Sequence, residues 1–201
     1  MFYFATLFRC ARALAVGSLL TGCAGLRGDE LPVASFTARA AAAAEAARVV
    51  RVIDADTYIM SSGGSTYRLR LLGVDAPEPD QAFGSQAADS VAKLLPVGRV
   101  VLVAKAGMDL YGRTLGAVLL PTSTVATAGR PVALDSLLVL RGWAWACDPD
   151  RRVAGRAAQQ AQAIQWGRGL WKCGDSPAVP PKVWRGFNTR NKRRYRGSCT
   201  W

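Results

Sequence analysis

The segment from Val52 to Glu78 alternates short strand-forming runs with turn formers, which commits the middle of the chain to consecutive antiparallel strands. Val52 and Ile53 end an apolar run, and Asp54-Ala55-Asp56 makes a turn. Thr57 to Met60 is strand-like again, and Ser61-Ser62-Gly63-Gly64-Ser65 is a hairpin loop. Tyr67 to Val74 reads as the next strand, ending in Asp75-Ala76-Pro77-Glu78. At a period of two, Tyr67, Leu69 and Leu71 share one face while Arg68 and Arg70 point to the other. Arg70 and Asp75 are an odd number of residues apart, so a regular strand would separate them. Gly73 is a natural place for a bulge that re-aims the carboxylate. Pro77 fixes the following turn and pushes Ala76 toward an extended conformation, which holds Glu78 just beyond the strand end.

The side chains gathered by this local geometry suit phosphate chemistry. The chain contains no histidine, which excludes histidine acid–base catalysis and the usual histidine-containing zinc sites. Cys147, Cys173 and Cys199 lack the close pairs of a thiolate metal site. Oxygen ligands remain, and these select Ca²⁺ or Mg²⁺. Asp56 and Asp75 are the candidate metal ligands, with the Ala76 carbonyl beside them. Phosphodiester hydrolysis needs an activated water and donors for charge building on the phosphoryl oxygens. Arg70 and Arg113 can grip such oxygens through forked guanidinium donors, and Glu78 can position or deprotonate the water.

Three motifs in order, Asp54-Ala55-Asp56-Thr57, Arg70-Leu71-Leu72-Gly73-Val74-Asp75-Ala76-Pro77-Glu78 and Asp109-Leu110-Tyr111-Gly112-Arg113, resemble the staphylococcal (thermonuclease) nuclease family. The similarity covers roughly residues 48 to 172. It implies calcium bound at Asp56 and Asp75, catalytic Arg70, Glu78 and Arg113, and a nucleotide-contacting Tyr111. It also implies a calcium-dependent endonuclease that cuts DNA and RNA with little sequence preference and leaves 3′-phosphate ends. Asp54 and Asp109 match family positions but read as turn or supporting residues. Two positions depart from the family. Ala55 stands where glycine is usual, and alanine would cost on the order of 1 kcal/mol if that turn needs a positive φ. Leu110 replaces a basic or polar residue. A catalytically impaired nucleic-acid-binding module is the alternative function.

The fold class expected is α+β and β-rich. Helices are expected over Ser85 to Leu95, Ala133 to Arg141 and Arg152 to Trp166, with further strands over Arg99 to Ala106 and Thr114 to Leu120. Five short strands and about three packed helices fit a small closed barrel of the oligonucleotide-binding (OB) type. Element order alone also permits an open sheet, so the barrel rests partly on the resemblance. Pro121 to Pro131 reads as an exposed loop. Trp143 and Trp145 are expected to pack, and Trp166 and Trp171 to seal the core.

The ends of the chain carry other signals. Residues 1–22, with Arg9 and Arg12 before an apolar run, form an expected signal peptide too short to span a membrane. Leu20-Thr21-Gly22-Cys23 resembles the bacterial lipoprotein cleavage box, which would make Cys23 the lipidated residue and Ala24 a mark of outer-membrane sorting. The rival is an ordinary signal peptide and a secreted or periplasmic protein. Residues 23–47 form an alanine-rich linker, 48–175 the nuclease-like domain, and 176–201 a basic, flexible tail. That tail has no acidic residue and supplies more than half of the +12 net charge through Lys182, Arg185, Arg190, Lys192, Arg193, Arg194 and Arg196. It could hold nucleic acid, lie on anionic lipid or stay solvated. Cys147 and Cys173 flank the last helix and are a possible disulfide, leaving Cys199 over or competing for a partner.

Overall fold

A computed structural model of the protein describes residues 40–121, 131–146, 153–174, 178–196 and 199. The signal sequence with Cys23, most of the Pro121 to Pro131 loop, and Cys147 lie outside the described residues.

Strand β1 (Glu45–Asp54) pairs antiparallel with β2 (Thr57–Ser62), which pairs antiparallel with β3 (Ser65–Leu71). After β4 (Val74–Asp75) and helix α1 (Gly84–Leu94), β5 (Val100–Met108) returns along β1 and turns into β6 (Thr114–Leu120). β6 then lies parallel to β3, with Leu69 opposite Thr114 and Leu71 opposite Gly116. That pairing closes the sheet into a five-stranded mixed barrel of the OB type, as expected. Register irregularities in β1, and between Lys105 and Gly107 of β5, let long strands turn the barrel corners.

Inward residues alternate along each strand. Val49, Tyr58, Met60, Leu69, Leu71, Val101, Val103 and Val118 are buried in one core cluster. Gly116 is bare because β6 passes so near the Ala104 carbonyl that a Cβ would lie 2.8 Å from its oxygen. Helix α1 buries Ala87 and Val91 against the barrel. A short β7 (Val132–Ala133) extends β6 and leads into α2 (Leu134–Leu140). β8 (Trp145–Ala146) pairs with β4, and α3 (Arg156–Gln165) lies beside α2.

Several expectations change. Tyr67 to Val74 is not one strand, because the chain turns at Leu72-Gly73 between β3 and β4. Gly73 has φ +78°, and a Cβ there would meet Val153 at 2.6 Å, so the side-chain parity of the strand is reset by a turn rather than a bulge. Strand β1 begins at Glu45, upstream of Arg48, and Ala40 is buried beside Ala104, Ala117, Leu119 and Ala133. Part of the alanine-rich stretch therefore belongs to the domain, its small side chains fitting a close sheet packing. Trp145 and Trp171 are buried and meet edge to face with centroids 5.4 Å apart. Trp166 instead is half exposed, stacked by the Arg168 guanidinium at 4.0 Å.

The tail is partly helical along its described length. Pro181–Arg185 forms α4 and Thr189–Arg194 forms α5, with Trp184 buried at 1% exposure. The disulfide also differs from expectation: Cys173 bonds Cys199, not Cys147. Folding of the tail back onto the domain brings Cys199 to Cys173, with their Cα atoms 5.9 Å apart.

Helices α2 and α3 are joined by a buried ion pair, Arg156 Nε to Asp135 Oδ2 at 2.6 Å, each residue about 2% exposed. Gln159 accepts from Arg156 and donates to Ser136. Removing one partner strands the other charge. Arg156→Ala is expected to lower stability by about 3–5 kcal/mol, whereas a well-packed apolar pair at 135 and 156 should be near neutral. Denaturant midpoints of the two variants check this.

Candidate active site

Asp56 sits in the tight turn between β1 and β2, where Asp54 pairs with Thr57. Asp54 Oδ1 accepts the Asp56 N–H at 3.0 Å, the side-chain-to-backbone bond that makes aspartate a turn former. Burial pushes the Asp54 carboxyl above its ordinary pKa, against the pull of Arg70. Ala55 is the residue that most threatened this turn. Among the described residues only Phe83 combines a side chain with a positive φ, so the Ala55 backbone needs no glycine. Ala55 is instead buried, and its carbonyl accepts the Tyr58 hydroxyl at 2.6 Å.

Asp56 is itself 2% exposed, and each of its carboxylate oxygens has a partner. Oδ1 accepts the Thr57 hydroxyl at 2.9 Å and pairs with Arg70, while Oδ2 accepts the Ala76 N–H at 2.5 Å. Arg70 lies on β3 opposite Thr57, on the face away from Leu69 and Leu71. Its Nη2 donates to Asp75 Oδ1 at 2.7 Å. One guanidinium therefore bridges Asp56 and Asp75, so the two carboxylates converge on a shared point. The turn at Leu72-Gly73 and the pairing of Asp75 with Trp145 on β8 put Asp75 there.

Glu78 follows on the loop between β4 and α1. Its N–H donates to Gln81 Oε1 at 3.1 Å, its carbonyl accepts the Gln81 N–H at 2.9 Å, and Gly84 passes so close that any Cβ would collide with that carbonyl. Arg113 comes from the β5–β6 connection. Asp109 organises that connection, accepting the backbone N–H of Tyr111 and Arg113 on Oδ1 and the Arg113 Nε at 2.7 Å on Oδ2. Burial would raise the Asp109 pKa, but these donors outweigh it and hold the carboxyl below its usual value. Tyr111 is 83% exposed, with the Arg113 guanidinium 5.4 Å from its ring centre. Leu110 projects wholly into solvent.

Asp56, Asp75, Ala76, Arg70, Glu78, Tyr111 and Arg113 all line one open cleft of about 630 Å³. Arg68, Lys182 and Arg185 line it as well. Among the described residues no cluster of three or more acidic, histidine or cysteine side chains could hold a metal. What the cleft offers a cation is the Asp56 and Asp75 carboxylates, both now bridged by Arg70. That all-oxygen set fits a hard divalent ion whose remaining positions go to water and phosphate.

Sequence reasoning missed Arg185, whose Nη1 donates to Glu78 Oε1 at 2.7 Å and whose Nη2 lies 3.3 Å from Asp75 Oδ2. Pro180-Pro181 ahead of Lys-Val-Trp-Arg is a helix-start signal that could have located α4, but nothing local points from there to the cleft.

The family model of staphylococcal nuclease homologues matches residues 68–173. An endonuclease of Escherichia coli O157:H7, named as uncharacterized, is 35% identical over 138 residues, 69% of this chain and 83% of the relative. Micrococcal nuclease of Shigella flexneri is 34% identical over 143 residues, 68% of this chain and 78% of its own. Thermonuclease of Staphylococcus hyicus is 41% identical over 78 residues, 35% of this chain and 46% of its own. With the matched region running from within β3 through the Glu78 and Arg113 loops to the packed helices, the chain belongs to the staphylococcal nuclease family of phosphodiester-hydrolysing enzymes.

Proposed function

We infer that the protein is a calcium-dependent endonuclease that hydrolyses DNA and RNA with little sequence preference and leaves 3′-phosphate ends. The observation that carries this reading is the convergence of Asp56, Asp75, Arg70, Glu78 and Arg113 on one cleft. Family membership and the nuclease names of the relatives support it. Asp56, Asp75 and the Ala76 carbonyl would hold the ion. When bound, it would neutralise charge on the scissile phosphate.

The chain's own groups then divide the work. Glu78 takes a proton from water on its carboxylate, the water oxygen forms a bond to phosphorus as the bond to the 5′-oxygen breaks, and the departing 5′-oxygen takes up a proton from solvent. Arg70 and Arg113 donate to the phosphoryl oxygens, whose charge grows as this happens. Asp109 orients Arg113 by holding its Nε. Exposed Tyr111 offers a ring against which a nucleobase can lie, a sequence-tolerant contact. The alternative of a binding module without turnover drew on Ala55, and a backbone there without a positive φ gives it no support.

On sequence pattern alone we also place the domain in the cell envelope, tethered through Cys23, on the outer membrane. No helix among the described residues is long and apolar enough to cross a membrane. Labelled fatty acid should enter the full chain and be lost in Cys23→Ser; equal labelling of both would contradict the anchor.

Digestion of single-stranded DNA and RNA by the chain tests the activity. Cleavage is expected with Ca²⁺ and absent with chelator. Arg70→Ala and Glu78→Ala should each reduce turnover by roughly 10²-fold or more, in line with removing a transition-state donor or a general base. Undiminished turnover in either variant would contradict the roles given.

A further inference from the structure

The C-terminal segment that lies beyond the family match directs its polar contacts at the Glu78 loop and at Asp75 just before it. Trp184, buried beneath α4, donates its indole N–H to Asp80 Oδ1 at 2.9 Å. Lys192 on α5 reaches Asp80 Oδ2 at 2.8 Å. Gln81 donates to the Val179 carbonyl, and Arg185 grips Glu78 and Asp75. The segment is stiffened by the Trp184–Phe187 and Phe187–Tyr195 ring contacts and by the Asn188 cap of α5. The Cys173–Cys199 disulfide ties its far end to the domain. Residues 76–83, by contrast, belong to no strand or helix, and Phe83 holds a left-handed φ of +66° that needs support from its surroundings.

We propose that residues 178–196 are a clamp on the loop carrying Glu78, and that Arg185 is the positioning residue that aims the Glu78 carboxylate. This rests on the reading of Glu78 as the group that activates water. The Arg185–Glu78 pair is 49% and 31% exposed, and a pair so wet adds little to stability. Its consequence is orientation. A carboxylate on an irregular loop samples many directions, and a misplacement of about 1 Å can cost on the order of 10²-fold in rate. The guanidinium fork, fixed on α4 next to the buried Trp184, narrows that range.

Two measurements on the disulfide-bonded chain test the proposal. In steady-state cleavage with Ca²⁺, Arg185→Gln should lower kcat roughly tenfold with KM changed less than about twofold, and Arg185→Lys should recover part of the loss. In hydrogen–deuterium exchange, which needs no activity, Asp80→Asn should speed exchange of the amides of residues 78–83 while the barrel strands keep their protection. Unchanged kcat in Arg185→Gln overturns the positioning role, and so does a raised kcat, which would make the contact a brake. Unchanged loop exchange in Asp80→Asn overturns the clamp. A wild-type chain that cleaves nothing sinks the nuclease reading, and the exchange experiment then decides the clamp alone.

Discussion

The Asp56 carboxylate is the joint on which the cleft is assembled. It is buried and shared among the Thr57 hydroxyl, the Arg70 guanidinium and the Ala76 N–H, so it ties the β1–β2 turn to β3 and to the start of the Glu78 loop. A buried carboxylate without such partners would be costly, and with them it fixes three chain segments relative to one another. Asp75 then needs only the turn at Gly73 and a short pairing with β8 to face the same point. The barrel supplies the rigid background. Its closure through β3 and β6 places Arg70 and the Arg113 connection at the same end, since Arg70 lies opposite Leu115 in that ladder.

The charge pattern of the cleft follows from this arrangement. Carboxylates and guanidiniums alternate in contact along its lining. Arg70 satisfies Asp75 from the barrel and Arg185 from the C-terminal helices. Each acidic group thus has a cationic neighbour that can turn to a phosphate oxygen once a divalent ion takes over the carboxylates. Mixed charge of this kind suits a polyanionic substrate better than a purely acidic metal pocket would.

Much of this was readable in order along the chain, because the groups that matter are close in sequence or carried in recognisable turns. Asp54 to Thr57, Arg70 to Glu78 and Asp109 to Arg113 each make their geometry locally, and Thr114–Leu120 is the strand its composition announces. Where reading failed, the cause was distance along the chain. Arg185 meets Glu78 across a separation of 107 residues, and Trp184 meets Asp80 across 104, so no periodicity or turn signal records either contact. The basic tail reads as flexible because its charge is visible in the sequence and the burial of Trp184 is not. Cysteine spacing could not choose Cys199 over Cys147 for the same reason: pairing is decided by how the tail folds back. At Ala55 the condition under which alanine would be costly, a positive φ, is not met by the backbone of the turn.

The central claim is that Asp56 and Asp75 form one cation site, and calorimetric titration of Ca²⁺ into the folded chain tests it without reference to catalysis. The account predicts saturable binding by the wild-type protein that is lost in Asp56→Asn and in Asp75→Asn, with the barrel intact by circular dichroism. Binding of equal affinity in all three proteins would contradict it.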